Sequence, residues 1–334
     1  MALETISRAL DGIYPAKVLP AMPWTARFAG DDYGLPADPA WREVDWREHL
    51  RWMEIDGARV SYVDIGEGPG PPVVFVHGLG GNWQNFLENL PRIARERRAL
   101  AVDLPGFGNS ELPPEPITIS GYARFVDAFC ERLDLGPVAI VGSSMGGFIG
   151  AEIAISFPER ADRLALVGAA GISITTLHRR PTLTAARIST LIGVGEISAA
   201  RARDVVRRSR LRYVALSAVV RHPNLIQPAL AYELVRGAGK QGYVGALEAL
   251  MMYDFRDRLP EIGCPTLVVW GSEDMMVPVR DADEFERLIP DARKLVMADT
   301  GHGPMFERPQ TFNRHMLDFL VESGEASQSE SEVA

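Results

Sequence analysis

The sequence predicts an α/β fold, a mainly parallel sheet covered by helices on both faces, interrupted by an inserted all-helical segment. Short apolar, β-branched runs recur at 73–76, 99–102, 138–141, 164–167 and 266–270. Each is too short for a helix and is bounded by Gly, Pro or Asp, as buried strands are. Amphipathic stretches separate them at 83–97, 119–133, 144–157, 281–288 and 309–320, and this alternation of periods marks a parallel sheet with helices on both sides. The rhythm breaks from 171 to 258, where strands vanish and helix-like stretches such as 198–209 and 228–236 follow one another.

Taken in order, residues 1–48 hold scattered Pro and Trp (Pro15, Pro20, Pro23, Trp24, Trp41, Trp46) with no sustained period. They read as an N-terminal extension on the surface of the main domain, with a lid or membrane-contacting arm as the functional alternative. Residues 49–170 and 259–322 form the α/β core, and 171–258 form a helical cap over the strand ends. The polar, acidic tail 323–334 is expected to be disordered.

With 334 residues, 46% of them hydrophobic, the chain can bury a large core. Its net charge of −9 and pI of about 5.3 give the molecule as a whole no attraction to nucleic acid, so small molecules or proteins are the expected partners. The charge is uneven, because 171–258 holds 13 Arg and one Lys against six acidic residues, a net +8, and the remainder carries −17. The run RARDVVRRSRLR reads first as the solvated face of a cap helix, and otherwise as a surface for anionic substrates or peripheral membrane contact.

Cys130 and Cys264 form no metal-ligand spacing and read as buried apolar residues, so no metal is expected. The first 20 residues lack an apolar stretch behind a basic one, and no later segment reaches about 18 uninterrupted apolar residues. A cytoplasmic protein without stable membrane insertion is expected.

The chemistry is carried by VAIVGSSMGGFIG, where Ser144 stands between the run 138–141 and the helical stretch 144–157 in the frame Gly142-Ser143-Ser144-Met145-Gly146. A nucleophile presented on so sharp a strand-to-helix turn sits on strained backbone, and a Cβ at either flanking position would collide with neighbouring elements. The turn places Ser144 at a helix N-terminus, where the free N–H of Met145 can donate to a developing oxyanion. The competing readings are a tight turn without chemistry and a nucleotide loop. The latter needs G-x-G-x-x-G after an early strand or a GK[ST] phosphate loop, and neither is present.

A serine hydroxyl needs a base and a group to orient that base. Of His49, His77, His178, His222, His302 and His315, only His302 stands in a Gly-flanked loop (ADTGHGPMFERP) before the final helix, where it can reach over the strand ends. For the acid, CPTLVVWGSEDMMVP ends a buried strand in a loop carrying Glu273 and Asp274. Asp274 is the choice, to fix the tautomer of His302 and stabilise its imidazolium; Asp254, Asp257 and Asp299 remain weaker candidates, and Glu273 reads as solvated. The resulting order of nucleophile, acid, histidine is that of α/β-hydrolases.

The second oxyanion donor should come from VVFVHGLGGNW, where Gly78 and Gly80 let the Leu79 backbone swing towards substrate. His77 reads as a brace for this loop. Gly78, Trp83 and Phe148 are candidate substrate-binding neighbours, and Leu191, Ile192, Leu250, Met251 and Met252 suggest an apolar acyl or aryl group or simply pack helix on helix.

With HGLGG, DLPGFGNS, GSSMGG, GSEDMMVP and GHGPMFERP in that order over residues 50–322, the sequence resembles the α/β-hydrolase superfamily. The resemblance implies an eight-stranded sheet, a helical cap inserted after the sixth strand, and a Ser144, Asp274, His302 triad. Serine at 144 separates the chain from haloalkane dehalogenases and epoxide hydrolases, which place Asp there, and it looks most like serine esterases and monoacylglycerol-lipase-like members. Residues 142–171 are also similar to hydrolases that cleave C–C bonds in ring-opening products of aromatic catabolism. Those usually follow HG with a Gly-Pro-Gly loop where this chain has HGLGG, so that reading stands second. Cofactor-free haloperoxidases or perhydrolases stand third, and non-catalytic binding members, which typically lose a triad residue, stand last. The expected function is hydrolysis of small to medium apolar acyl or aryl esters through an acyl-enzyme, with no cofactor.

Overall fold

The computed structural model describes residues 32–173 and 200–321. The expectations for 1–31, for the tail and for His178, Leu191 and Ile192 lie outside the described residues. The strands are β1 (Leu50–Ile55), β2 (Ala58–Ile65), β3 (Val73–Val76), β4 (Ala99–Val102), β5 (Val138–Ser143), β6 (Ala161–Val167), β7 (Thr266–Gly271) and β8 (Ala292–Met297). They form one sheet in the order β1-β2-β4-β3-β5-β6-β7-β8. β2 runs antiparallel to β1 and β4, and the remaining pairs are parallel.

The helices are α1 (Leu90–Ala94), α2 (Ile119–Arg132), α3 (Met145–Ser156), α4 (Ala202–Arg207), α5 (Ser209–Leu216), α6 (Pro228–Arg236), α7 (Tyr243–Met252), α8 (Arg280–Leu288), α9 (Pro304–Glu307) and α10 (Pro309–Val321). Among the described residues none is long and apolar enough to cross a membrane.

Alternate strand residues divide between two cores, as the period of two dictates. Val74, Val76, Leu100, Val102, Ile140, Leu164, Val268 and Trp270 face α2, α3, α7 and α8, whereas Val73, Phe75, Ala99, Val141, Val167 and Val269 face α1, α10 and the α4–α6 group. The two cysteines are free and buried. Burial pushes the Cys130 thiol up to about 12 and the Cys264 thiol up to about 11, so both serve packing alone.

Four elements differ from the sequence reading. The hairpin β1–β2 lacks the continuous apolar run of the buried strands because it lies at the sheet edge, with Arg51, Trp52, Glu54 and Arg59 exposed. Its signal is Asp56-Gly57, whose φ of 48° and 78° make the tight turn that joins twisted strands. The expected helix over 83–97 is two pieces, a 3-10 turn at Trp83–Phe86 and α1. Pro91 lacks an N–H and its ring would strike a carbonyl one turn earlier, so a helix can begin but not continue there. The helical stretch over 198–209 divides into α4 and α5 at Arg208, whose φ and ψ of −96° and 110° are extended.

Finally, α3 is not amphipathic. Every residue from Met145 to Ile155 is buried, because the sheet, α2 and the Phe255 region enclose it, and such a helix must be apolar all round. Its one carboxylate, Glu152, is held by Ser156 Oγ at 2.8 Å and Arg258 at 3.2 Å.

In the segment 201–210, Ala202, Val205 and Val206 are buried while Arg201, Arg203, Arg207, Arg208 and Arg210 face solvent. Their long polar ends stay in water as the helices bury their small apolar residues. Residues 32–48 run against α10, with Asp32 paired to Arg308 at 2.8 Å. Tyr33 and Ala37 are buried.

Candidate active site

β5 delivers Ser144 to the N-terminus of α3 with φ and ψ of 55° and −115°. A non-glycine residue holds this conformation only when its surroundings over-determine it. Here the Ser144 N–H donates to the Val167 carbonyl at 2.9 Å, and its own carbonyl accepts from Ala170 N at 3.0 Å and Gly147 N at 3.0 Å. A Cβ at Gly142 would lie 2.2 Å from the Gly146 carbonyl oxygen, and one at Gly146 would lie 2.0 Å from that of Val76. Both glycines are therefore required by backbone approach, for the reason the sequence suggests.

The loop after β3 closes over this turn. A Cβ at Gly78 would stand 2.9 Å from Ser144 Cβ, so the Gly78 backbone lies directly against the serine. Gly80 adopts φ 72°, and Gly81 N donates to the Gly78 carbonyl at 3.0 Å. Among the described residues the N–H groups of Leu79 and Met145 find no protein acceptor; Met145, the first residue of α3, has none within its helix.

His77 braces the loop. Leu104 N donates to His77 Nε2 at 3.0 Å, which assigns the ring proton to Nδ1 and makes it the donor to the Gly78 carbonyl at 2.8 Å. Complete burial holds its pKa below the usual value, against the opposing pull of Asp103. Asp103, in the DLPGFGNS segment, is a residue whose part the sequence reading missed. Its carboxylate accepts from Trp83 N at 2.8 Å, Asn109 N at 2.9 Å and Ser61 Oγ. It thereby ties the start of the Trp83 turn to the loop after β4.

The acid and the histidine meet across the ends of β7 and β8. His302 Nδ1 lies 2.7 Å from Asp274 Oδ2, and the Asp274 side chain is 0% exposed. Its other oxygen accepts from Met276 N at 2.8 Å and Val277 N at 2.9 Å. With Asp274 Oδ2 as acceptor, Nδ1 carries the ring proton and Nε2 is the free base. His302 packs against Gly168, where an added Cβ would lie 3.0 Å from His302 Nδ1, and Gly168 directly follows Val167, the acceptor of the Ser144 N–H.

The competing candidates lie elsewhere. Glu273 is 47% exposed, near Arg221; Asp254 accepts from Arg256 N at 3.1 Å; Asp257 is exposed. Asp299 pairs with His222 at 2.9 Å and Arg221 at 3.2 Å. His49 Nδ1 lies 3.2 Å from the Asp64 carbonyl oxygen, and His315 sits half-buried on α10.

Two of the three candidate substrate-binding residues are core residues. Phe148 is 0% exposed, packed on Phe255 at 4.2 Å and Tyr253 at 5.7 Å between ring centroids. Trp83 is 6% exposed and stacks on Trp46 at 5.0 Å. The Gly78 backbone lies against the Ser144 side chain, whereas Phe148 meets the serine only through its backbone N–H, which donates to the Ser144 carbonyl at 3.2 Å. On α7, Leu250 is buried in the core and Met252 is 87% exposed.

The arrangement can supply a nucleophile, a base with a fixed tautomer and two oxyanion donors. Known proteins share the fold and part of the sequence. A family model described as alpha/beta hydrolase fold matches residues 71–309. The chain is 32% identical over 286 residues to the dihydrolipoyllysine-residue acetyltransferase component of the acetoin cleaving system of Cupriavidus necator, covering 84% of this chain and 71% of that protein. It is 28% identical over 305 residues to a 2-hydroxy-6-oxononadienedioate/2-hydroxy-6-oxononatrienedioate hydrolase of Paraburkholderia xenovorans, covering 84% and 96%. Among solved structures it is similar to a serine hydrolase involved in carbazole degradation, with a TM-score of 0.62 and 26% identity over 81% of this chain and 98% of that one.

Proposed function

Because the chain belongs to the alpha/beta hydrolase fold family and is a hydrolase by its fold and its relatives, we propose that it cleaves carboxylic esters through Ser144, His302 and Asp274. The observation that carries this reading is the 2.7 Å contact between His302 Nδ1 and an Asp274 side chain closed off from solvent. An Nδ1 engaged in this way supports a role for Nε2 as the base that takes the proton of Ser144, which sits on a strained helix-entry turn.

Ser144 Oγ attacks the ester carbonyl as His302 Nε2 takes its proton. The N–H groups of Leu79 and Met145 hold the oxyanion, and losing one such donor typically costs about 10²- to 10³-fold in turnover. The imidazolium then protonates the leaving alcohol, and water, deprotonated by His302, releases the acid. Apolar acyl or aryl esters of small to medium size are the proposed substrates. Neither metal nor organic cofactor enters these steps.

A second reading has its own support. Several relatives are named as hydrolases of 2-hydroxy-6-oxo-dienoic acids at 28–30% identity, and the carbazole-degradation hydrolase is similar in structure. On that reading the same site breaks the C–C bond beside a ketone, and the leaving group is a carbon acid in place of an alcohol. A p-nitrophenyl ester series from acetate to decanoate, assayed beside 2-hydroxy-6-oxo-6-phenylhexa-2,4-dienoate, separates the two. The ester reading predicts kcat/KM of at least about 10⁴ M⁻¹s⁻¹ for the best ester, in the ordinary enzyme range. Dienoate turnover that exceeds the best ester by tenfold or more would reassign the protein to C–C hydrolysis.

A further inference from the structure

The structure assigns Glu307 as the positioning residue of His302, with Tyr33 of the N-terminal segment as its outer partner. The inference rests on the reading of His302 as the catalytic base. Glu307, the last residue of α9, is 0% exposed, and its carboxylate spans the loop that carries His302. Gly301 N donates to Oε2 at 3.0 Å and Gly303 N donates to Oε1 at 3.0 Å, so the residues on either side of His302 are held by the two oxygens of one side chain.

The other donors tie this loop to two distant segments. Arg221 N donates to Oε2 at 2.9 Å, and the Tyr33 hydroxyl donates to the same oxygen. That hydroxyl accepts from His222 N at 2.9 Å, and Gly34 N donates to the Glu307 carbonyl at 2.7 Å. From the opposite side, the backbone N–H of His302 donates to Val219 O at 2.8 Å. Segment 219–222 thus grips the histidine through both its own N–H and the carboxylate beneath it.

There is no slack in the assembly. A Cβ at Gly301 would stand 2.7 Å from Arg221 N and 2.9 Å from both Glu307 Oε1 and Val219 O. Burial pushes the Glu307 carboxyl up from its usual range, and its four donors work against that shift. All four partners donate, so the acceptor-only carboxylate satisfies them and no neutral side chain of the same shape can. In Glu307→Gln, either amide orientation turns an N–H against at least one of these donors. The unpaired groups are buried, so the loop must move to relieve them.

The test uses the full chain with a p-nitrophenyl ester, measuring kcat and KM on protein shown by circular dichroism to be folded at the assay temperature. Glu307→Gln is expected to lower kcat by about 10- to 100-fold, the cost of an ångström-scale misplacement of a reacting group, with KM held within about twofold. Tyr33→Phe keeps the carboxylate and its three backbone donors, and is expected to lower kcat by about 3- to 10-fold. A merely structural role would lower the melting temperature and leave the kcat of the folded fraction intact.

Folded Glu307→Gln with kcat within twofold of the parent, or with the loss confined to KM, overturns the assignment. If Glu307→Gln fails to fold, Tyr33→Phe decides, and an unchanged kcat there overturns it. His302→Ala, assayed in parallel, separates the positioning role from the base it serves. An active His302→Ala removes the base and this inference with it, whereas an inactive one beside an unimpaired Glu307→Gln removes the positioning role alone.

Discussion

Ser144→Ala lowers kcat by about 10⁶-fold and leaves the fold in place, the loss seen when a triad nucleophile is removed from a serine hydrolase of this logic. The effect is large because nothing else at the turn can form the acyl-enzyme: Ser143 precedes it as the last, buried residue of β5. Stability should change little. The turn is fixed by backbone bonds from Ser144 N to Val167 O and from Ala170 N to Ser144 O, and alanine keeps both. The check is steady-state turnover beside a thermal melt; residual activity within tenfold of the parent would place the nucleophile elsewhere.

Asp274→Asn lowers kcat by about 10⁴-fold, by analogy with the same change in a serine-protease triad. The hydrogen bonds around Asp274 show why the amide cannot adapt. Met276 N and Val277 N both donate to Oδ1, so Asn must keep its carbonyl oxygen there and present its NH₂ to His302 Nδ1. That donor forces the imidazole proton onto Nε2, where a proton from Ser144 would have to go. The measurement is kcat and KM of Asp274→Asn beside Asp299→Asn and Asp254→Asn. If the loss instead follows Asp299, the His222 pair is the functional one and the acid is wrongly assigned.

How legible these features are in the sequence depends on how local their causes are. Gly142 and Gly146 can be read from sequence because their requirement comes from neighbouring backbone: a buried strand that runs straight into a helix at Ser144 leaves no room for a Cβ on either side. The central strands are legible because burial on both faces makes them continuously apolar. The β1–β2 hairpin is hidden by its exposed edge, and the break before α1 by reading the apolar period across Pro91. In α3 the glycine-rich apolar run fits an amphipathic helix only if one face meets water, and no face does.

At the site, Asp274 is chosen from its place after a strand, and its pairing with His302 over 28 positions matches the order of motifs. The network beneath His302 has no such local signature. Tyr33 and Glu307 are 274 positions apart, and only the folded chain brings them together. The available signal is an acidic residue five positions after the histidine in GHGPMFERP, directly behind the apolar run Pro304-Met305-Phe306. Trp83 and Phe148 show the converse: being apolar and close in sequence to the glycine loop after β3 or to the nucleophile does not distinguish a pocket wall from the packing behind it.

Intact-mass analysis and peptide mapping after treatment with a fluorophosphonate probe test the central claim most directly, because labelling requires an activated serine and is independent of which bond the enzyme cleaves. The account predicts a single adduct on Ser144, absent in Ser144→Ala and strongly slowed in His302→Ala. An adduct on another serine, or no adduct on protein shown to be folded, would contradict it.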